Sequence, residues 1–229
     1  MGGIDRKTVN IVYMGDYKHI IWDWNGTLLD DVHECVAVVS GMLQRRRLPE
    51  LTIERYRESV GFPIIDFYRR LGFDFTKESY EKVADEYMKG YVRCLPHCRL
   101  RQGAETFLRS LTDAGLTHSV LSAYHQRRLE EAVSLFQIER WFIKLIGLND
   151  YYAHSKVENG RKWMDELPYE KQEVLFVGDM LHDYEVACAM GVDCVLLSCG
   201  HQSPERLREC GVPVYDSMKE IENLLFGHT

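Results

Sequence analysis

His19-Ile-Ile-Trp-Asp-Trp-Asn-Gly-Thr-Leu-Leu-Asp-Asp31 decides how the rest of the chain is read. An apolar run, residues 20–22, delivers a carboxylate, Asp23, to a polar turn at Asn25-Gly26-Thr27, and two more acids, Asp30 and Asp31, follow an apolar pair. Two readings compete here. A buried strand that ends in an acid and a glycine-containing loop holds a reactive group at the edge of a sheet. Asn-Gly between apolar runs is equally a hairpin signal. The sequence downstream has to choose.

Residues 31–94 are helical in character. Val32, Val36, Val39 and Leu43 recur at steps of three and four, giving one apolar face that ends before Leu48-Pro49. Thr52 is a candidate cap for a short helix to about residue 60, Gly61-Phe62-Pro63 breaks it, and residues 64–71 suggest another. A longer helix is expected over 76–91, with Thr76 or Ser79 as cap and Tyr80, Val83, Tyr87 and Tyr91 as its stripe. No strand signal interrupts this block. From Gly103 the pattern becomes strand and helix in alternation, with strands expected at 117–121, 144–148, 173–177, 194–197 and 212–215 and helices at 104–114, 126–136, 155–167, 183–190, 204–210 and 217–226. Such alternation predicts a parallel sheet covered on both faces. Strand one is then a sheet strand, not a hairpin arm. The expected architecture is α/β, a Rossmann-like parallel core formed by 18–30 and 98–229 with a helical cap, 31–97, inserted into it.

The chain has 229 residues, 45% of them hydrophobic and 28% charged, which is ordinary globular composition. A net charge of −7 argues against a broad nucleic-acid surface. Seven cysteines without the spacing of a disulfide framework suggest a reduced, intracellular setting. Cys94 and Cys98 have no second Cys/His pair to complete a zinc site. Residues 1–17 read as a mobile lead-in. With no signal peptide and no run of transmembrane length, the expected location is cytoplasmic, with no membrane partner. Oligomeric state is not legible.

In a parallel sheet the strands present their carboxyl ends to one crevice. Three polar loops should meet there: residues 23–27, 122–125 and 178–183. Asp179 and Asp183, four apart, join Asp23 in an all-oxygen cluster, whose mutual repulsion a hard cation such as Mg²⁺ would relieve. Lys156, opening a later helix, is placed to offset further charge.

These residues resemble the four motifs of the haloacid dehalogenase-like hydrolase superfamily, in its branch with a helical cap after the first motif. Asp23-Trp-Asn-Gly-Thr27 resembles motif one, normally Asp-x-Asp-Gly-Thr. Ser122, Lys156, and Gly178-Asp179 with Asp183 resemble motifs two, three and four, although Lys156 lacks the family's usual neighbouring proline. The resemblance implies that Asp23 is the nucleophile, forming an aspartyl-phosphate. It implies Mg²⁺ held by Asp23, the backbone carbonyl of Asn25, Asp179 and Asp183. Ser122 and the amides of Trp24, Asn25 and Ala123 would bind phosphate, and Lys156 would bridge nucleophile and phosphate. Gly61 and Phe62 resemble the cap loop that touches substrate. The pattern is most similar to phosphoglycolate phosphatases, so a small phosphorylated metabolite is the expected substrate. The bland alternatives are a helix cap for Ser122 and Asp179, and a surface lysine for Lys156.

One position departs from the family. Two residues after the nucleophile, phosphatases of this family carry an aspartate that protonates the leaving oxygen and then activates water. Here it is Asn25, and an amide does no acid/base work at neutral pH. Loss of such a group typically costs about 10²–10⁴ in rate. Another group or bulk water substitutes (Asp30, His125 and His182 are nearest), or the substrate has a good leaving group, or the protein binds a phosphate ester with impaired turnover. Alternatively, Asn25-Gly26 deamidates to an acid in place.

Overall fold

The computed structural model describes residues 17–149 and 156–227. Strand β1 (His19–Trp22) leads through the polar turn into a two-residue strand, β2 (Leu29–Asp30). Four helices follow: α1 (Val32–Arg45), α2 (Ile53–Ser59), α3 (Ile64–Leu71) and α4 (Tyr80–Cys94). A second short strand, β3 (Arg99–Leu100), returns antiparallel to β2, pairing Leu29 with Leu100 and Asp30 with Arg99. The chain then alternates through α5 (Ala104–Asp113), β4 (Thr117–His125), α6 (Gln126–Leu135), β5 (Lys144–Leu148) and α7 (Val157–Glu166). It continues through β6 (Val174–Gly178), α8 (Leu181–Met190), β7 (Asp193–Leu197), α9 (Pro204–Arg208), β8 (Val214–Tyr215) and α10 (Met218–Phe226).

The six longer-range strands form one parallel sheet in the order β5-β4-β1-β6-β7-β8. β1 lies between β4 and β6, which excludes the hairpin reading of Asn25-Gly26. The strand order reverses at β1, so Asp23 emerges where a doubly wound sheet opens its ligand crevice. Alternate side chains of β1 go to opposite faces. Ile20 and Trp22 join the core beneath α5 and the inserted helices, and Ile21 joins the core beneath α7 and α8. β6 does the same, with Leu175 and Val177 on the first side and Phe176 on the second. All six side chains are fully buried, each contributing about 1.5–3 kcal/mol. This two-sided burial is why the strands read as continuous apolar runs.

The fold is therefore α/β, a Rossmann-like parallel core carrying an inserted helical cap. Several local expectations shift. The helix expected from residue 76 begins at Tyr80: Ser79 caps it, accepting from Lys82 N at 3.3 Å, while Thr76 folds back onto Asp74, its amide 3.0 Å from Oδ1. Thr52 caps α2 as expected, accepting from Arg55 N at 3.2 Å. β4 does not stop at Leu121 but runs on to His125, with a register shift against β5 between those residues. α7 is described from Val157, and α8 starts at Leu181, two residues early. The β2/β3 pair was not anticipated, since two residues carry no alternation. Of the mobile lead-in expected over residues 1–17, residues 1–16 lie outside the described residues, as does residue 155, while Tyr17 is buried and its hydroxyl donates to Asp193 Oδ2 at 2.8 Å. All seven cysteines are free, and Cys98 Sγ donates weakly to Cys94 O at 3.7 Å.

Candidate active site

The first residue past β1, Asp23, is held by a backbone bond from its amide to Val177 O at 2.8 Å. The turn that follows needs Gly26: its φ is +78°, and a Cβ there would stand 2.3 Å from Asp179 Oδ2. Gly200 and Gly178 face the same crowding, against Asp179 and Asp183. Backbone and carboxylates are packed as closely as side-chain-free residues allow.

Asp23, Asp179 and Asp183 bring ligand atoms within 4.8 Å of one another, all buried. Lys156 Nζ donates to Asp23 Oδ1, lies 2.7 Å from Asp183 Oδ1 and donates to Leu121 O at 2.9 Å. Asp183 Oδ2 accepts the Asp179 and Met180 amides, both at 2.9 Å. Asp179 accepts from Thr27 Oγ1 at 2.8 Å and from the His201 amide at 2.6 Å. Burial, then the neighbouring carboxylates, push the Asp23 carboxyl above its ordinary range, against the pull of Lys156. Burial also raises Asp179, opposed chiefly by the His201 charge. Burial works against the charge on Lys156, but Asp183 and Asp23 overcome it and raise its pKa. Three buried carboxylates facing one ammonium form an oxygen-rich, under-neutralised pocket, and that donor set suits a hard divalent cation.

Asp23, Asn25, Ser122, Ala123, Lys156, Asp183 and Phe62 line one cavity of about 160 Å³, together with His125 and His182. Ser122 does not cap α6; its Oγ accepts the Tyr124 amide at 3.1 Å, which leaves the hydroxyl proton available. The Trp24 side chain is not on the cavity: it is fully buried in the core, its ring tilted against Phe136. Gly61 is also off the cavity, beside Gln202 and Arg206. Asp30 points elsewhere, exposed and paired with Arg101 at 3.5 Å, and so is no candidate to replace an acid at position 25. His182 stacks on Phe62, ring centroids 4.2 Å apart, and burial followed by the Lys156 charge pushes its pKa down.

Around Asn25 lies a network that sequence reasoning missed. Asn25 Nδ2 donates to Asp31 Oδ2 at 2.7 Å and to Tyr91 OH at 2.6 Å, and Tyr91 OH donates to the same carboxylate at 2.6 Å. Asp31 Oδ1 accepts the Gly26 amide at 2.9 Å and lies 3.3 Å from His201 Nε2, whose Nδ1 is 2.9 Å from Tyr56 OH. Burial would raise the Asp31 carboxyl, but the His201 charge and hydrogen bonds hold it below its usual range. His201 is driven to about 9, burial notwithstanding, by Asp31 first and then Asp179 and Asp23. The Gly26 amide, the attacking group in deamidation of Asn25, is thus held by Asp31 and by Leu29 O at 3.0 Å. Arg101, almost fully buried, donates to Thr27 O at 3.0 Å and Gly26 O at 2.7 Å. The missed signal was topological: His201 follows β7, at the same carboxyl edge as the other three loops.

Sequence comparison agrees with this geometry. Residues 20–197 match the family model described as haloacid dehalogenase-like hydrolase. The chain belongs to that family. A 5'-nucleotidase of Pseudomonas aeruginosa is 27% identical over 194 residues, covering 84% of this chain and 87% of the relative. A phosphoglycolate phosphatase of Pseudomonas syringae pv. tomato is 26% identical over 200 residues, covering 84% and 73%. Among solved structures, a haloacid dehalogenase-like family hydrolase from Streptococcus pneumoniae superimposes with a TM-score of 0.79 at 14% identity, covering 90% of this chain and 97% of that one. It shares the fold. Among the described residues, no helix is long and apolar enough to cross a membrane.

Proposed function

We propose that the chain is a Mg²⁺-dependent phosphatase that hydrolyses a small phosphate monoester through an aspartyl-phosphate on Asp23. The observation that carries this reading is the contact of Lys156 Nζ with both Asp23 and Asp183, beside the buried Asp179 carboxylate. Asp23 is the nucleophile. Asp23, Asp179, Asp183 and the backbone carbonyl of Asn25 would hold the cation, which would offset the charge that opposes attack of a carboxylate on a phosphate dianion. Lys156 opposes the rise that burial and the neighbouring acids impose on the Asp23 carboxyl, and it meets the negative charge that builds on the phosphoryl oxygens. Ser122 Oγ and the amides of Trp24, Asn25 and Ala123 orient the phosphoryl group, and Phe62 meets the rest of the ester, with Gly61 shaping that loop. We place the core at residues 18–30 and 98–229 and the cap at 31–97, the cap excluding water from the reacting centre. The relatives' names bring glycolate phosphate forward as a candidate substrate.

The hydrogen bonds that Asn25 donates to Asp31 and Tyr91 favour a second reading, a phosphate-ester-binding protein with impaired turnover. Phosphate release from a panel of monoesters, with and without Mg²⁺, separates the two. The expected result is slow, Mg²⁺-dependent turnover that Asp23→Ala abolishes. Turnover that survives Asp23→Ala would reject the nucleophile, and binding without release in the unaltered chain would support the second reading.

A further inference from the structure

The cavity that opens from Asp23 is walled mainly by rings. Phe67, Tyr68, Tyr87 and Tyr91 of the cap line it, with Phe62 and with Tyr124 from β4. Two of the phenols are occupied elsewhere: Tyr87 donates to Cys35 Sγ at 3.2 Å and Tyr91 to Asp31. Tyr87 and Tyr91 stack at 5.9 Å, and Tyr91 meets Tyr124 edge-on at 5.7 Å, so these rings form a continuous aromatic wall.

A second anionic group on the substrate finds no guanidinium and no uncommitted ammonium there. Among the described residues, no arginine lines the cavity, and Lys156 is its only lysine, already bonded to Asp23 and Asp183. Its other basic groups are imidazoles: His201 lies 3.3 Å from Asp31, His182 stacks on Phe62, and His125 lines the wall. A glycolate carboxylate would sit among rings with neither a guanidinium nor an uncommitted ammonium to pair it, and burying a poorly paired charge is unfavourable. Size restricts the choice as well. A cavity of about 150 Å³ accepts one benzene ring, and this one, at about 160 Å³, is of that order.

We infer that the ester accepted at this site is a phenolic phosphate: one aromatic ring bearing the phosphoryl group, with no second anionic group. The inference rests on the phosphatase reading and deepens it. It also gives Asn25 a chemical sense. A phenol ionises near 10, as tyrosine does, whereas an aliphatic alcohol is nearer to water at about 15.7. Asp23 attacks phosphorus, the P–O bond to the ring breaks, and the phenolate departs with the bonding pair and takes its proton from solvent. Water then attacks phosphorus and loses its proton to solvent, freeing inorganic phosphate and the Asp23 carboxylate. The first step needs no acid at position 25.

The test has two arms, run on the full chain with Mg²⁺. In the first, kcat and KM are measured for phenyl phosphate, cyclohexyl phosphate and phosphoglycolate. Phenyl phosphate should exceed phosphoglycolate in kcat/KM by at least about tenfold, the scale on which apolar pockets discriminate. Cyclohexyl phosphate should show a similar KM but a kcat lower by about 10² or more, the scale of a missing general acid. In the second arm, phenylphosphonate and phosphonoacetate, neither of them hydrolysable, are titrated by calorimetry. Phenylphosphonate should bind at least about tenfold more tightly, and Phe62→Ala should narrow that gap. Equal or better turnover of phosphoglycolate, or tighter binding of phosphonoacetate, would overturn the inference and leave the phosphatase reading standing. No turnover of any ester would reject the phosphatase reading, and the phosphonate titration would still decide whether the cavity selects a ring.

Discussion

At the residue scale, the proposed chemistry turns on position 25. Its amide is held by Asp31 and Tyr91 within a buried network, so it cannot swing away to admit another group. Asn25→Asp would place a second carboxyl at hydrogen-bonding distance from Asp31, where the amide now stands 2.7 Å from Oδ2. Two carboxyls that close share a proton, and one of them titrates well above its ordinary value. The variant should therefore gain a proton donor able to work near neutrality. The expected gain for an alkyl phosphate is about 10²-fold in kcat, the lower end of what general acid/base catalysis supplies. It is checked by phosphate release across pH 5–8, and equal rates in the two proteins would mean that residue 25 does not limit turnover. Ordinary deamidation is not expected to do this unaided, because Asp31 and Leu29 O occupy the Gly26 amide.

At the element scale, the β2/β3 pair fastens the two places where the chain passes between core and cap. Arg101, just after β3, reaches back to the carbonyls of Gly26 and Thr27, while its own amide bonds Leu28 O at 2.8 Å. The loop carrying Asp23 is thus positioned by a side chain from the far end of the cap insertion. Arg101→Met keeps much of the bulk and removes the guanidinium donors. It should lower stability by about 2 kcal/mol, as expected for buried hydrogen bonds from a charged group. Thermal unfolding would measure this, and an unchanged Tm would remove Arg101 from the account.

The same elements show what could be read in advance. Strands buried on both faces leave apolar runs, and helices leave stripes at three and four, so the sheet, the cap and the loops holding Asp23, Ser122, Lys156, Asp179 and Asp183 were legible. Two-residue strands leave no period, so β2 and β3 were not. Nor was the placement of Arg101, Asp31, Tyr91 and His201, because each acts through tertiary contacts across 60 to 170 residues and not through local spacing. Thr76 and Ser79 were equivalent as caps until Asp74 claimed the first of them.

At the scale of the whole molecule, stability carries a pH dependence from the core. His19 lies between Thr117 Oγ1 at 2.7 Å and Ser119 Oγ at 2.8 Å, and Trp22 Nε1 donates to His118 Nδ1 at 3.2 Å. Burial first, and then the nearby His118, pushes His19 down to about 3; burial likewise lowers His118 to about 4. Unfolded histidines titrate near about 6.5, so below that pH the unfolded chain binds more protons. The stabilisation is full above about pH 6.5 and is lost as pH falls toward these lower values. Each histidine contributes a slope of up to about 1.4 kcal/mol per pH unit in that window. Urea unfolding between pH 7 and 4.5 should show the decline, and His19→Asn should flatten it. The same slope in the variant would assign the pH dependence elsewhere.

In the proposed reaction the first half has its nucleophile in Asp23, and the second lacks the usual base. An aryl ester should therefore load Asp23 faster than water unloads it. Acid-quenching the protein after mixing with phenyl phosphate and Mg²⁺, followed by peptide mass mapping, tests this most directly. The account predicts a burst of phenol approaching one per chain and the mass of one phosphoryl group on the peptide containing Asp23. A phosphoryl group on a different residue, or steady turnover with neither burst nor label, would contradict it.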